Sequence, residues 1–124
     1  MRLLVCGGRE YSNRDALFAA IDAIVPWYEP DADGNTLPKG VTIISGGARG
    51  ADQIAEDWAA INWTELEVFK ADWTKHGRAA GPIRNQRMLD EGKPDAVLAA
   101  AGGTGTADMI RRAKAAGIPV HYCP

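Results

Sequence analysis

Three short runs of small residues concentrate the chemistry of this 124-residue chain: Cys6-Gly7-Gly8-Arg9-Glu10-Tyr11, Ser45-Gly46-Gly47-Ala48-Arg49-Gly50-Ala51-Asp52 and Gly102-Gly103-Thr104-Gly105-Thr106. Glycine lets a backbone approach a ligand closely and turn where other residues cannot. Where such a run leads into a helix, the free N–H groups and the positive end of the helix dipole favour an anion. Phosphate is the anion that fits. Thr104 and Thr106 add hydroxyl donors, and Arg9 and Arg49 add charge-assisted bonds. A tight turn explains any one of these runs equally well; three of them on one edge of a sheet point to a ligand.

A second concentration of charge runs from Lys75 to Arg87, with Lys75, His76, Arg78, Arg84 and Arg87 and no acidic residue. A solvated face is the bland explanation, yet a cationic stretch in an acidic protein can focus an anionic ligand. His76 has no Ser or Cys nucleophile with a partnering acid beside it, so nucleophilic catalysis has no support. Tyr11 and Trp73 offer flat faces for a base, whereas Trp58 and Trp63 read as core residues. The run 103–108 has the outline of GxGxxG without its third glycine, and too little chain follows for a standard NAD-binding unit.

The elements that position these runs follow from apolar patterning. Aliphatic stretches at residues 3–6, 41–44, 66–69, 96–99 and 118–122 predict five strands. Between them, Leu17, Ile21 and Ile24 follow a Ser12-x-x-Asp15 capping signal, and Ile54, Ala55, Trp58 and Ala59 form a second helical stripe. Pro82 is placed to open a third helix through Leu89. Thr106 opens a fourth that turns Ile110 and Ala113 inward and ends at Gly117. Alternating strands and helices predict an α/β, Rossmann-like three-layer domain with a five-stranded, mostly parallel sheet. Residues 28–40, rich in Pro, Gly, Asp and Asn, read as a long surface loop. In such a sheet the ligand crevice lies beyond the carboxyl ends of the strands, where all three glycine runs fall.

Bulk properties narrow the function. The length fits one domain spanning residues 1–124. A formal net charge of −2 argues against a whole-molecule footprint for nucleic acid, which normally appears as a basic domain. Cys6 and Cys123 lack the spacing of a disulfide framework or a zinc site, so no metal and no cofactor is expected. The short apolar start and the lack of a long apolar run predict no membrane partner and a cytoplasmic location.

With these residues in hand, the chain resembles the SLOG superfamily, the Rossmann-like group named for the Smf/DprA and LOG proteins, and within it the small YspA-type, cpYpsA-related branch. The three glycine runs, Ala71-Asp72-Trp73 and Gly81-Pro82-Ile83-Arg84-Asn85-Gln86-Arg87-Met88 carry the resemblance along nearly the whole chain. It implies binding of nucleotides or nucleotide-derived ligands, commonly by dimers. The expected ligand-binding set is Gly7, Gly8, Arg9, Tyr11, Ser45, Gly46, Gly47, Arg49, Gly50, Trp73, Asn85, Gly102, Gly103, Thr104, Gly105 and Thr106, with Arg49 and Arg84 as the anion clamp. LOG-type hydrolases cleave an N-glycosidic bond with an arginine and a glutamate. Arg84 matches the first, but the glutamate position is Met109 here, which cannot stabilise an oxocarbenium-like charge. A sensor or binding module is therefore the leading expectation; the alternative is a hydrolase of an N-glycosidic or phosphate bond in a nucleotide, with Asp108 and Asp52 as substitute acids and Arg84, Asp108 and Asp52 as the candidate catalytic residues. The second glycine run is also similar to the DprA motif, which leaves single-stranded DNA binding as a lesser alternative.

Overall fold

The computed structural model describes residues 1–124. Five strands form one sheet in the order β3-β2-β1-β4-β5: β1 Arg2–Cys6, β2 Thr42–Ser45, β3 Glu65–Val68, β4 Ala96–Ala99 and β5 Val120–Tyr122. Every neighbouring pair is parallel. The fold is thus the expected Rossmann-like α/β arrangement, with its sheet parallel throughout.

Strand alternation divides the core into two layers, because successive side chains point to opposite faces. Leu3, Val5, Ile43 and Leu98 pack on one face with Leu17, Ile21, Ile54 and the fully buried Trp58. Those partners come from α1 (Arg14–Ile24) and α2 (Ala51–Ile61). Leu4, Cys6, Ile44, Val97 and Ala99 pack on the other face with Met88, Leu89, Met109 and Ala113 from α4 (Ala80–Asp90) and α5 (Thr104–Ala115). A short helix α3 (Trp73–His76) and a 3-10 turn at Gly77–Ala79 join β3 to α4.

Local chemistry moves several boundaries. Asn13, not Ser12, caps α1, its Oδ1 accepting the Ala16 N–H at 3.1 Å, while Asp15 lies in the first turn. Helix α4 starts two residues before Pro82, which still falls in the first turn, where a missing N–H costs no intrahelical bond. Helix α5 starts at Thr104 rather than Thr106, so three of the five residues of the third glycine run are helix. Trp63 is a correction: it follows the end of α2 in a left-handed conformation (φ 58) and is 87% exposed, outside the core. Residues 28–40 leave the sheet as expected, but as an ordered excursion. The Tyr28 N–H meets Leu37 O at 2.9 Å, and Asp31 Oδ1 accepts from both Asp33 and Asn35. No helix is long and apolar enough to cross a membrane.

Candidate functional site

The strand order fixes where a ligand crevice opens. From β1 the chain winds outward through β2 and β3, whereas β4 and β5 lie on the other side, so the order reverses between β1 and β4. Open parallel sheets hold ligands beyond the strand ends at such a switch point. A cleft of about 710 Å³ lies there.

Its walls come from four places. Cys6 ends β1, and Gly7, Gly8 and Arg9 follow it; Ala48 and Asp52 precede and open α2; Trp73, Arg78, Arg84 and Asn85 come from α3, the 3-10 turn and α4; Gly103, Thr104, Gly105, Thr106, Asp108 and Arg111 belong to α5 and its cap. Twelve of the residues expected from sequence therefore meet in one cleft: Gly7, Gly8, Arg9, Asp52, Trp73, Arg84, Asn85, Gly103, Thr104, Gly105, Thr106 and Asp108.

The remaining expected residues lie elsewhere. Gly46, Gly47 and Arg49 line an adjoining hollow of about 440 Å³ with Lys70, and Arg9, Trp73 and Arg84 are shared with the main cleft. Arg49 is largely exposed and pairs with Glu10 at 2.6 Å; it shares the adjoining hollow with Arg84 but does not line the main cleft. Tyr11 faces away from the cleft, its hydroxyl donating to Pro124 O at 2.6 Å, and the ring ties the C-terminus down. Gly102 borders the same outer hollow as Tyr11. Ser45 is fully buried and organises its own loop: its hydroxyl donates to Glu56 at 2.7 Å and accepts the Gly47 N–H at 3.1 Å.

The glycines of the first two runs also have a second purpose. The Gly8 N–H donates to Ala101 O at 2.9 Å, and Gly8 O accepts from Ala51 at 3.2 Å, so the three loops brace one another. A side chain on Gly102 would overlap Thr106 and the Gly8 backbone. Part of the glycine signal thus records loop packing on loop. Gly103 and Gly105, by contrast, face open space, and the N–H groups of Thr104, Gly105 and Thr106 open α5 without intrahelical partners.

Two arginines complete the cationic wall without having been chosen from sequence as site residues. Arg78 belongs to the basic stretch already noted. Arg111 was missed, although its spacing carries the signal: positions 104, 108 and 111 recur at helical period and share the cleft face. Positions 106, 109 and 113 form the adjoining buried face. Met109 is 1% exposed in the core, and the carboxylate that α5 presents to the cleft is Asp108.

Asp108 is fully engaged. It pairs with Arg111 at 2.6 Å and Arg112 at 2.9 Å and accepts from Asn85 Nδ2 at 3.0 Å. Partial burial alone would push its pKa up, but the bonds from Arg112 and Asn85 and the two arginine charges outweigh burial and hold it below the usual carboxylate range. Asn85, itself buried, also donates to Gly105 O at 3.1 Å and accepts from Arg84 Nε at 3.0 Å, linking α4 to the first turn of α5. Arg84 Nη1 donates to Gly46 O at 2.6 Å.

Asp52 is the opposite case. Burial raises its carboxyl to about 6, against the Ala48 N–H bond and the Arg84 charge, which pull it down. Because the folded value lies above the unfolded one, the protonated group stabilises the fold. That contribution is complete below the unfolded pKa and is lost as pH rises through about 6. Between neutral pH and one unit below that midpoint, the wild type is expected to gain on the order of 1 kcal/mol relative to Asp52→Asn. Urea denaturation of both proteins across this range measures the difference, and parallel slopes would show that Asp52 does not titrate as described.

Fold and cleft together define a parallel α/β domain with a cation-walled crevice at its topological switch point. The chain belongs to the YspA, cpYpsA-related SLOG family, whose model matches residues 1–76. That span holds the first two glycine runs and Trp73, while Arg84, Asn85 and α5 lie beyond it. The chain is also 38% identical over 128 residues to the Gene 61 protein of Mycobacterium phage D29, covering 96% of this chain and 93% of that protein. No solved structure matches it.

Proposed function

We propose that this protein is a binding module or sensor for a nucleotide or nucleotide-derived phosphate ligand. The observation that carries the reading is the convergence on one cleft of four arginines, Arg9, Arg78, Arg84 and Arg111, with the unpartnered amides that open α5. Phosphate would sit at those amides, with Thr104 and the arginines as further donors. The Arg9 guanidinium lies 5.4 Å from the Trp73 ring centroid, and the half-exposed indole offers the base a stacking face. Membership of the SLOG family supports a nucleotide-related ligand.

Titration calorimetry with nucleoside mono- and diphosphates, nucleoside diphosphate sugars, cyclic nucleotides and inorganic phosphate tests this. Binding by at least one phosphate ester, weakened by salt, is expected. Silence across the panel removes the reading. A single-stranded oligonucleotide is expected to give no mobility shift at low salt.

One observation favours a second reading, hydrolysis of an N-glycosidic bond. Asp52, with its carboxyl at about 6 beside Arg84, is suited to proton transfer near neutral pH, whereas Asp108 is held ionised by its partners. Chromatography of nucleoside monophosphates incubated with the protein decides: release of free base would replace the sensor reading with this one.

A further inference from the structure

Within the cleft, one buried polar side chain has bonding capacity that the protein leaves unused. Asp52 is only 6% exposed, and its Oδ2 accepts the Ala48 N–H at 3.1 Å. Its Oδ1 accepts no hydrogen bond from the protein, and Asp52 is one of the residues that line the cleft. The neighbouring charged groups have partners other than Asp52 within the protein. Arg84 donates to Gly46 O and Asn85, Arg9 lies over Trp73, and Glu56 takes the Ser45 hydroxyl. Neither arginine forms an ion pair with Asp52, and the Cys6 thiol, also on the cleft wall, makes no bond to it.

A carboxylate oxygen in this position accepts and does not donate. It opposes a phosphate oxygen and favours an O–H. The donors suited to phosphate stand on a different wall, at the first turn of α5 with Arg111 on the same helix. One ligand satisfies both walls when its phosphate is carried on a sugar that also bears a free hydroxyl. We infer that Asp52 Oδ1 accepts a hydrogen bond from a sugar hydroxyl of the ligand, so that the cleft selects ribose phosphates over their deoxy counterparts. This inference rests on the phosphate-ligand reading above. Selection arises because a ligand lacking the hydroxyl covers the carboxylate oxygen without pairing it, which costs more than an absent contact.

The test is titration of the full chain at neutral pH with ribose 5-phosphate and 2-deoxyribose 5-phosphate. The four ribonucleoside 5′-monophosphates and their 2′-deoxy and 3′-deoxy forms complete the set. The ribose form is expected to bind about 10- to 100-fold more tightly than at least one deoxy form. In Asp52→Ala that ratio is expected to fall to near one. Asp52→Asn, which keeps the side-chain volume and the bond from Ala48, is expected to narrow the ratio and serves if the alanine variant does not fold by circular dichroism. Equal binding of ribose and deoxy forms by the wild type overturns the inference while leaving the phosphate reading intact. A ratio that survives both substitutions while the two affinities fall together also overturns it, because Asp52 would then act only through the Ala48 loop. No binding of any phosphate by the wild type defeats the phosphate reading first, and this inference with it.

Discussion

Replacing Arg84 with alanine is expected to weaken binding of the phosphate ligand by about 100-fold. A hydrogen bond to a charged group contributes about 1.5–3 kcal/mol, and each 1.4 kcal/mol is a factor of ten in affinity. Arg84 is placed to act both directly, as a cation on the cleft wall, and through the loops, since it joins Gly46 O to Asn85. Lysine keeps the charge but lacks the planar fork that makes both bonds, so Arg84→Lys should recover less than half of the lost binding energy. The alanine variant has a second signature. The Arg84 charge lowers the Asp52 pKa, so its removal should move the acid-side stability midpoint above about 6. Calorimetry gives the affinity and pH-dependent denaturation gives the midpoint. Wild-type affinity in Arg84→Ala would mean that the ligand does not use this wall.

The second large effect is structural. Gly50 caps α2 with φ 77 and ψ −126, a region that L side chains avoid, and an added Cβ would overlap the carbonyl oxygens of Gly8 and Arg9. Those are backbone atoms, so no rotamer change relieves the overlap, and the β1 loop must separate from the start of α2. Backbone strain of this kind costs about 1–3 kcal/mol. With the loss of the Ala51 bond to Gly8 O, Gly50→Ala should destabilise the protein by roughly 3 kcal/mol and lower Tm on the order of 10 °C. Gly105→Ala is the matched control. It lies in the first turn of α5 with open space around it, so added helix propensity should leave stability unchanged or raise it by up to about 1 kcal/mol. Thermal melts of the pair measure the contrast, and equal losses would show that the three loops do not brace one another.

The control also separates two meanings that the sequence alone merges. A glycine that admits a ligand and a glycine that admits another loop look identical in a string of letters, because both reflect a missing Cβ. Gly50 and Gly102 are small because protein stands against them; Gly103 and Gly105 are small beside open cleft. Tyr11 shows the same limit. Its place after β1 makes it a ligand candidate, but its hydroxyl finds the chain end 113 positions away, a contact that no local pattern encodes.

Local patterning legibly carried the α/β class, the five strands and most of the cleft residues, because strand and helix periods are properties of neighbouring residues. It also carried the three glycine runs. The order of the strands was not in that pattern. It depends on which edges pair, and it alone puts the reversal between β1 and β4 and therefore decides which two loops flank the crevice. The facing of α5 was likewise settled by packing. With Met109 and Ala113 against the sheet, Asp108 and Arg111 are turned to the cleft. The four-arginine wall, the engaged Asp108 and the half-used Asp52 exist only in three dimensions, since each depends on charges and burial contributed by elements distant in the chain.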